Sequence, residues 1–317
     1  MGAFDAYIRL DGAISGSIVC DEPMSRHTTY RIGGPAALYI TCDTVSDLSL
    51  VLEVLAEEDV AWTVVGKGSN LLVADDGYDG AVIVLGREFS RIDFGGFDED
   101  AAGAADAEAP SEVVVTVGAA VNLSRLVTKA FGLGLSGLGF AVGTPGTVGG
   151  AVRMNAGTAT EWMCSVIESV TIFTPGKGLS KLAVEDVRWG YRSSSIPKDA
   201  IVVEVSLVLR PSDKIVLRAS MEASLKKRRA NQPLSKPSCG SVFKGPAGDS
   251  AGRLIEACGL KGTTIGGAQI SDVHANFIVN NGNATAQDVL SLIKLARDKV
   301  EEEHGIELQP EVRFLGF

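Results

Sequence analysis

"GTPGTVGGAVRMNAG", residues 143–157, is the stretch on which the fold turns. Pro145 fixes a backbone angle, while Gly146, Gly149 and Gly150 remove side chains around it. Such a segment suits a flat or extended ligand lying against the main chain. A second glycine segment, "VVGKGSN" (64–70), runs out of an apolar strand into Gly66, Lys67, Gly68, Ser69 and Asn70. Its glycines let the backbone turn tightly and present successive N–H groups to an anion, and Ser69 and Asn70 add donors. Taken alone, it is also an ordinary strand-ending turn. A third run, "GLGLSG", spells G-x-G-x-x-G with Gly132, Gly134 and Gly137. A dinucleotide fingerprint follows a strand and opens a helix, whereas these glycines close one. Two glycine loops on separate α/β units, without a phosphate-binding helix, predict a dinucleotide clamp of non-Rossmann type.

The flanking segments supply those units. "LYITCD" reads as a strand, followed by a helix over "TVSDLSLVLEVLAEEDV" with Leu48, Leu52 and Leu55 on one face and Thr44 or Ser46 as cap. "AWTVVG" and "AVIVLG" are strands, and the turn-rich "KGSNLLVADDGYDG" between them reads as a loop. Residues 1–25 read as irregular. "RIDF" and "VVVTVG" are strands separated by an Ala, Gly and acid stretch over 95–111, which reads as a flexible insertion. "NLSRLVTKAFGLG" is a helix capped by Asn122 and closed by Gly132. Three more strands follow in "SVTIFT", "VRWGY" and "IVVEVSLVL". From residue 211 onward, helices over "KIVLRASMEASLKKRRANQP" and "SAGRLIEACGL", a strand in "NFIVNN" and a helix capped by Thr285 with Asp288 predict a further domain. Gly305 ends that helix, and the tail "IELQPEVRFLGF" reads as extended.

Composition narrows the function classes. The 317 residues are 45% hydrophobic and 21% charged, which fits folded domains. A net charge of -10 argues against nucleic acid and anionic membrane surfaces as partners. No run approaches the ~18 apolar residues of a membrane span, and the N-terminus lacks a signal-peptide core. The five cysteines are scattered and form no C-x-x-C, which points to reduced thiols in the cytoplasm, and only three histidines are present, so no metal site is expected.

Several segments then recur in one order: "TTYRIGGPA" (28–36), "VVGKGSNLLV" (64–73), "GTPGTVGGAVRMNAG" (143–157), "GYRSS" (190–194), "PSCGSVF" (237–243), "GGAQIS" (266–271), "HANFIVN" (274–280) and "LQPEVRFLG" (308–316). Together they resemble the UDP-N-acetylenolpyruvoylglucosamine reductase family of bacterial cell-wall precursor synthesis. The short passage after "GYRSS" is more similar to the family's second subtype, which lacks an extra substrate-covering loop. The resemblance implies an α+β and α/β fold: a two-subdomain FAD-binding fold of the vanillyl-alcohol-oxidase type plus a C-terminal α+β substrate-binding domain. On this chain the limits are 26–86 for the first FAD subdomain, joined by the tail 307–317, 87–210 for the second, and 211–306 for the substrate domain. It further implies non-covalent FAD, NADPH as co-substrate, and reduction of UDP-N-acetylglucosamine enolpyruvate to UDP-N-acetylmuramate. The expected partners are these small molecules, with a monomer favoured.

The resemblance carries roles onto residues. Arg192 matches the catalytic arginine, Ser241 the proton donor and Glu311 the catalytic glutamate. Hydride addition builds negative charge on the enolpyruvyl carboxylate, so preorganised cations and donors are chemically required. A bidentate arginine suits a carboxylate. Read without the family, Arg192 is a strand-end arginine, Glu311 a tail carboxylate beside Arg313, and "PSCGSVF" a glycine turn whose hydroxyls satisfy backbone groups. The matched FAD segments name Gly66, Lys67, Gly68, Ser69, Asn70 and Leu71, then Gly143, Gly146, Thr147, Gly149, Gly150, Ala151, Asn155 and Gly157. Tyr191, Lys244, His274 and Gln309 are the substrate-side polar groups. Two places depart from the commoner family pattern: Gly245 after "FK", and "NAGTATEWM" after Asn155, which bears on the flavin contacts beyond Gly157. The competing readings are another FAD oxidoreductase on the same fold and a non-catalytic nucleotide-sugar-binding protein. No histidine lies in a matched FAD loop to tether the flavin, and Arg192, Ser241 and Glu311 are all retained.

Overall fold

Where local signals are strong, the elements form where the sequence places them. The computed structural model describes residues 2–97, 110–158 and 160–317. Helix Val45–Glu57 opens on a full capping box: the Thr44 hydroxyl accepts from the Asp47 amide, and the Asp47 carboxylate accepts from the Thr44 amide. The last helix, Ala286–His304, has the same box in Thr285 and Asp288 and ends at Gly305 in the left-handed region, φ 65°. A third acceptor reinforces its start, since the Asp75 carboxylate takes the Ala286 and Gln287 amides at 2.7 and 3.0 Å.

The strands form several sheets. One runs Ser17–Pro23, Pro35–Cys42, Tyr78–Leu85, Trp62–Val64 in spatial order. A larger one runs Gly178–Ala183, Ile167–Thr174, Ile201–Pro211, Val113–Gly118, Ile92–Asp93, with Leu135–Ser136 pairing the far end of Ile201–Pro211. All pairings in this second sheet are antiparallel.

The chain divides into two compact units, one of residues 1–18, 40–66 and 83–226, the other of 19–39, 67–82 and 227–317. The first centres on strand Ile201–Pro211, where Val205, Leu207 and Leu209 are fully buried. Burial on this scale stabilises by about 1.5–3 kcal/mol per large aliphatic side chain. The second has a small antiparallel sheet, Thr264–Ile265, Ala268–Ile270 and Ile278–Asn280. Helices Ala251–Ala257 and Ala286–His304 share a core with it that includes Leu254, Ile255, Val289, Ile293 and Val300. In the same unit, Arg313–Leu315 pairs in parallel with Leu71–Val73.

The differences from the sequence reading have identifiable causes. Residues 1–25 are not irregular: they hold helix Ala3–Leu10 and strand Ser17–Pro23. That helix has no side-chain cap, so its end signals are weak; burial of Ala6 and Leu10 and an ion pair from Arg9 to Glu58 at 2.7 Å hold it. Strand Leu71–Val73 lies inside the supposed loop, because its partner is the distant C-terminal tail. Strand "VRWGY" shrinks to Trp189–Gly190, paired with Ser193–Ser194. Asn122 precedes helix Leu123–Gly132 without a side-chain capping bond, and the left-handed exit falls at Gly134, φ 72°, rather than at Gly132. The glycine stretch contains the short helix Val148–Arg153, which the sequence reading did not place because its glycines conceal it. Most of the acidic insertion, residues 98–109, lies outside the described residues. Among the described residues no helix is long and apolar enough to cross a membrane.

Candidate active site

The first unit brings Gly66 and the longer glycine stretch together. A Cβ on Gly66 would lie 2.4 Å from the Thr147 hydroxyl, so only glycine permits this approach. Thr147 also caps helix Val148–Arg153 by accepting from the Gly150 amide at 3.4 Å. The amides of Val148 and Gly149 are engaged too, by the carbonyls of Val121 and Ala119 at 2.9 Å each. The helix start is therefore occupied by the protein's own acceptors. By contrast, the amides of Gly143, Gly146 and Thr147 donate no hydrogen bond among the described residues. Gly143 and Gly146 are left-handed, at φ 71° and 123°.

In the second unit, the segment from Lys67 to Asn70 shows the same feature more strongly. None of its four amides donates a hydrogen bond among the described residues, although Gly68 is buried. Buried backbone donors are nearly always satisfied, so a run of unengaged ones fits an anionic ligand. The loop itself is held firmly. Gly68 sits at φ 59°, a Cβ there would lie 2.2 Å from the His27 carbonyl oxygen, and its own carbonyl accepts from the Thr29 amide at 3.2 Å. Asn70 donates to the Glu311 carbonyl at 3.1 Å, while its own carbonyl accepts from the Arg313 amide at 3.0 Å. Leu71 belongs to the paired strand, and Lys67 is exposed. Each of the two segments, taken by itself, presents amides that fit an anionic group such as a phosphate.

Arg192 occupies an unusual place in the first unit. It is the second residue of the two-residue turn between Trp189–Gly190 and Ser193–Ser194, at φ 54°. A left-handed arginine costs roughly 1–2 kcal/mol relative to a right-handed one, and strain of this kind collects at functional positions. The guanidinium donates from Nη1 to the Gly157 carbonyl at 3.1 Å. Its Cζ lies 5.9 Å from the Trp162 ring centroid and 5.3 Å from that of Tyr191, and the two rings meet edge-on at 5.8 Å. Gly157 is a close-approach glycine: a Cβ would lie 2.3 Å from the Glu161 carbonyl oxygen. Asn155, buried at φ 43°, spends its amide inside the protein, donating to the Gly190 carbonyl and accepting from the Cys164 amide. Ala151 is buried. Arg153 emerges only from the structure. Its guanidinium donates to the carbonyls of Ile196, Pro197, Lys198 and Ala200, fixing the chain beyond the Arg192 turn.

The remaining expected residues gather in the second unit. Segments 242–244 and 309–312 run side by side: the Glu311 amide donates to the Val242 carbonyl at 2.7 Å and the Lys244 amide to the Gln309 carbonyl at 2.9 Å. This places Ser241, Lys244, Gln309 and Glu311 in one neighbourhood. Neither the Ser241 nor the Ser238 hydroxyl makes a hydrogen bond among the described residues, so neither serves to satisfy the turn. Gly240, at φ 81°, would carry a Cβ into open space. Cys239 is buried and burial pushes its thiol up to about 12, which leaves it protonated and a poor nucleophile. Burial also lowers the pKa of His274, with Lys261 adding to the effect. Its Nδ1 accepts from the Asn276 amide at 3.1 Å, as a neutral ring does. Asn276 itself is a missed positioning residue. Buried, it accepts from the Phe243 amide at 2.9 Å and donates to the Phe243 carbonyl at 2.8 Å, clasping the segment after Ser241. Its signal was an amide inside the apolar "NFIVN".

Two family models match. Residues 232–315 match the UDP-N-acetylenolpyruvoylglucosamine reductase C-terminal domain, and residues 36–180 match an FAD binding domain. Among curated relatives, UDP-N-acetylenolpyruvoylglucosamine reductase 2 of Symbiobacterium thermophilum is 42% identical, covering 95% of this chain and 93% of its own. The UDP-N-acetylenolpyruvoylglucosamine reductase of Heliobacterium modesticaldum is 44% identical, covering 95% and 91%. The crystal structure of UDP-N-acetylenolpyruvylglucosamine reductase from Thermus caldophilus superposes with a TM-score of 0.78 at 36% identity, covering 95% of this chain and 99% of that one.

Proposed function

The chain belongs to the UDP-N-acetylenolpyruvoylglucosamine reductase family, and from that premise we propose how its residues divide the reduction of UDP-N-acetylglucosamine enolpyruvate to UDP-N-acetylmuramate. It is an FAD-dependent oxidoreductase acting on small molecules, with an FAD-binding domain of the vanillyl-alcohol-oxidase type joined to a C-terminal domain. FAD, when bound, would supply the hydride chemistry, with NADPH as the reductant. The amides of Lys67 to Asn70, which donate to nothing among the described residues, would hold its pyrophosphate, and the 143–157 glycine stretch is assigned to FAD as well. Gly66, Gly149 and Gly157 allow the close approaches that shape those segments.

The chain's own residues handle charge and protons. Arg192 meets the substrate carboxylate and the negative charge that develops on it as the double bond is reduced. Glu311 acts at the same reacting group. Ser241 gives a proton to the carbon next to the carboxylate, and its oxygen recovers one from solvent. A serine hydroxyl is a weak acid, so this step needs the developing charge to be stabilised first. Tyr191, Lys244, His274 and Gln309 are assigned to the rest of the substrate, His274 as a neutral ring. The remaining assignments are the cytoplasm as compartment, a monomer as the working state, and subdomains over 26–86 with the tail, 87–210 and 211–306. One observation carries the catalytic reading: Arg192 holds a conformation unfavourable for arginine while its guanidinium is fixed to Gly157 of the glycine stretch. The test is turnover. NADPH oxidation by the purified FAD-loaded protein should depend on UDP-N-acetylglucosamine enolpyruvate; oxidation that ignores this substrate contradicts the reading.

A further inference from the structure

We propose that Trp162 is the positioning residue for Arg192: its ring, with that of Tyr191, sets where the guanidinium is presented to substrate. This rests on the reading of Arg192 as a catalytic cation. The turn carrying Arg192 is only two residues long and is flanked by two-residue strands that pair with each other, so the backbone alone leaves a long side chain with several rotamers. What limits the guanidinium is its surroundings. It lies within cation–π range of both Trp162 and Tyr191, at 5.9 and 5.3 Å, and the rings brace one another edge-on.

The indole is well anchored for this task. Trp162 bridges to Gly157, whose carbonyl takes the Arg192 Nη1 bond. The next residue, Met163, donates its amide to the Ala156 carbonyl at 2.8 Å. Cys164 donates to the buried Asn155 side chain, which in turn holds Gly190 at the root of the Arg192 turn. The ring partner and the hydrogen-bond partner of Arg192 therefore move as one piece, and that piece is tied to the hairpin bearing Arg192. Tyr191 is half exposed, at 47%, so Trp162 supplies the more sheltered of the two ring contacts. Losing a cation–π contact at a partly desolvated site corresponds to a roughly 5- to 30-fold effect.

The experiment follows both half-reactions by stopped flow in FAD-loaded Trp162→Leu, Trp162→Phe, Arg192→Ala and the Trp162→Leu/Arg192→Ala double variant. Trp162→Leu should leave flavin reduction by NADPH unchanged. It should slow reoxidation by UDP-N-acetylglucosamine enolpyruvate about 5- to 30-fold, with the loss in kcat exceeding any change in KM. Trp162→Phe, which keeps a π face, should recover part of that rate. In the Arg192→Ala background, Trp162→Leu should cost nothing more. If Arg192→Ala is slow but Trp162→Leu is not, or if the two losses multiply, the positioning role is overturned while the catalytic reading of Arg192 stands. If Arg192→Ala itself reoxidises normally, both fall. A general defect, with flavin reduction and thermal stability lost alike in the leucine and phenylalanine variants, also overturns the proposal.

Discussion

Replacing Arg192 by glycine and by alanine separates strain from chemistry. Both substitutions remove the same contacts: the hydrogen bond to the Gly157 carbonyl and the approaches to Trp162 and Tyr191. They differ in the backbone. At φ 54° an alanine keeps the left-handed penalty, roughly 1–2 kcal/mol, and a glycine does not. Glycine gives back roughly 0.5–1 kcal/mol because it loses more freedom on folding. The balance favours Arg192→Gly over Arg192→Ala by about 1 kcal/mol. For a chain of this size that is a difference of about 2 °C in melting temperature. Thermal unfolding of the two variants side by side, followed by fluorescence, measures it. Stopped-flow reoxidation by the enolpyruvyl substrate should be slow in both. An alanine variant as stable as the glycine variant would refute the strain argument. A glycine variant with normal reoxidation would show that the strained arginine has no catalytic duty.

Two further outcomes follow from the same geometry. Gly68→Ala forces a Cβ to within 2.2 Å of the His27 carbonyl oxygen in a left-handed turn, so the purified protein should lose its yellow colour and fail to take up FAD; full FAD occupancy in that variant would contradict the loop assignment. The pKa of the His274 ring is lowered from its ordinary value because the ring is partly buried, with the Lys261 charge adding to the effect. Its folded pKa is therefore below its unfolded one, and its contribution to stability is full above the unfolded value and lost as pH falls through the folded value. A proton NMR titration should give a midpoint under 6.5, and a midpoint above it would contradict the burial argument.

What was legible in the sequence was whatever local chemistry encodes. The cap at Thr44, one of the two residues read for it, the Thr285–Asp288 pair, the stop at Gly305 and the amphipathic faces of these helices are short-range signals that the structure bears out. Helix Ala3–Leu10 was not legible, because packing rather than a cap holds it. Strand Leu71–Val73 was hidden by turn residues on both sides and by a partner at the other end of the chain. The order of motifs disclosed the family and carried the proposed catalytic roles onto Arg192, Ser241 and Glu311. It could not disclose which side chains hold them. Arg153 and Trp162 contact segments distant in sequence, and nothing local to either marks that task.

The most direct test of the account is an anaerobic double-mixing experiment on Ser241→Ala, with the FAD-loaded protein reduced by NADPH and then mixed with UDP-N-acetylglucosamine enolpyruvate. The Ser241 hydroxyl makes no hydrogen bond among the described residues, and Gly240 beside it leaves open space. Flavin reduction needs no acid from the protein, so bleaching should proceed at the unmodified rate. Reoxidation should fall by roughly 10²–10⁴-fold, the range for a lost general acid. Reoxidation of Ser241→Ala at the unmodified rate would contradict the account.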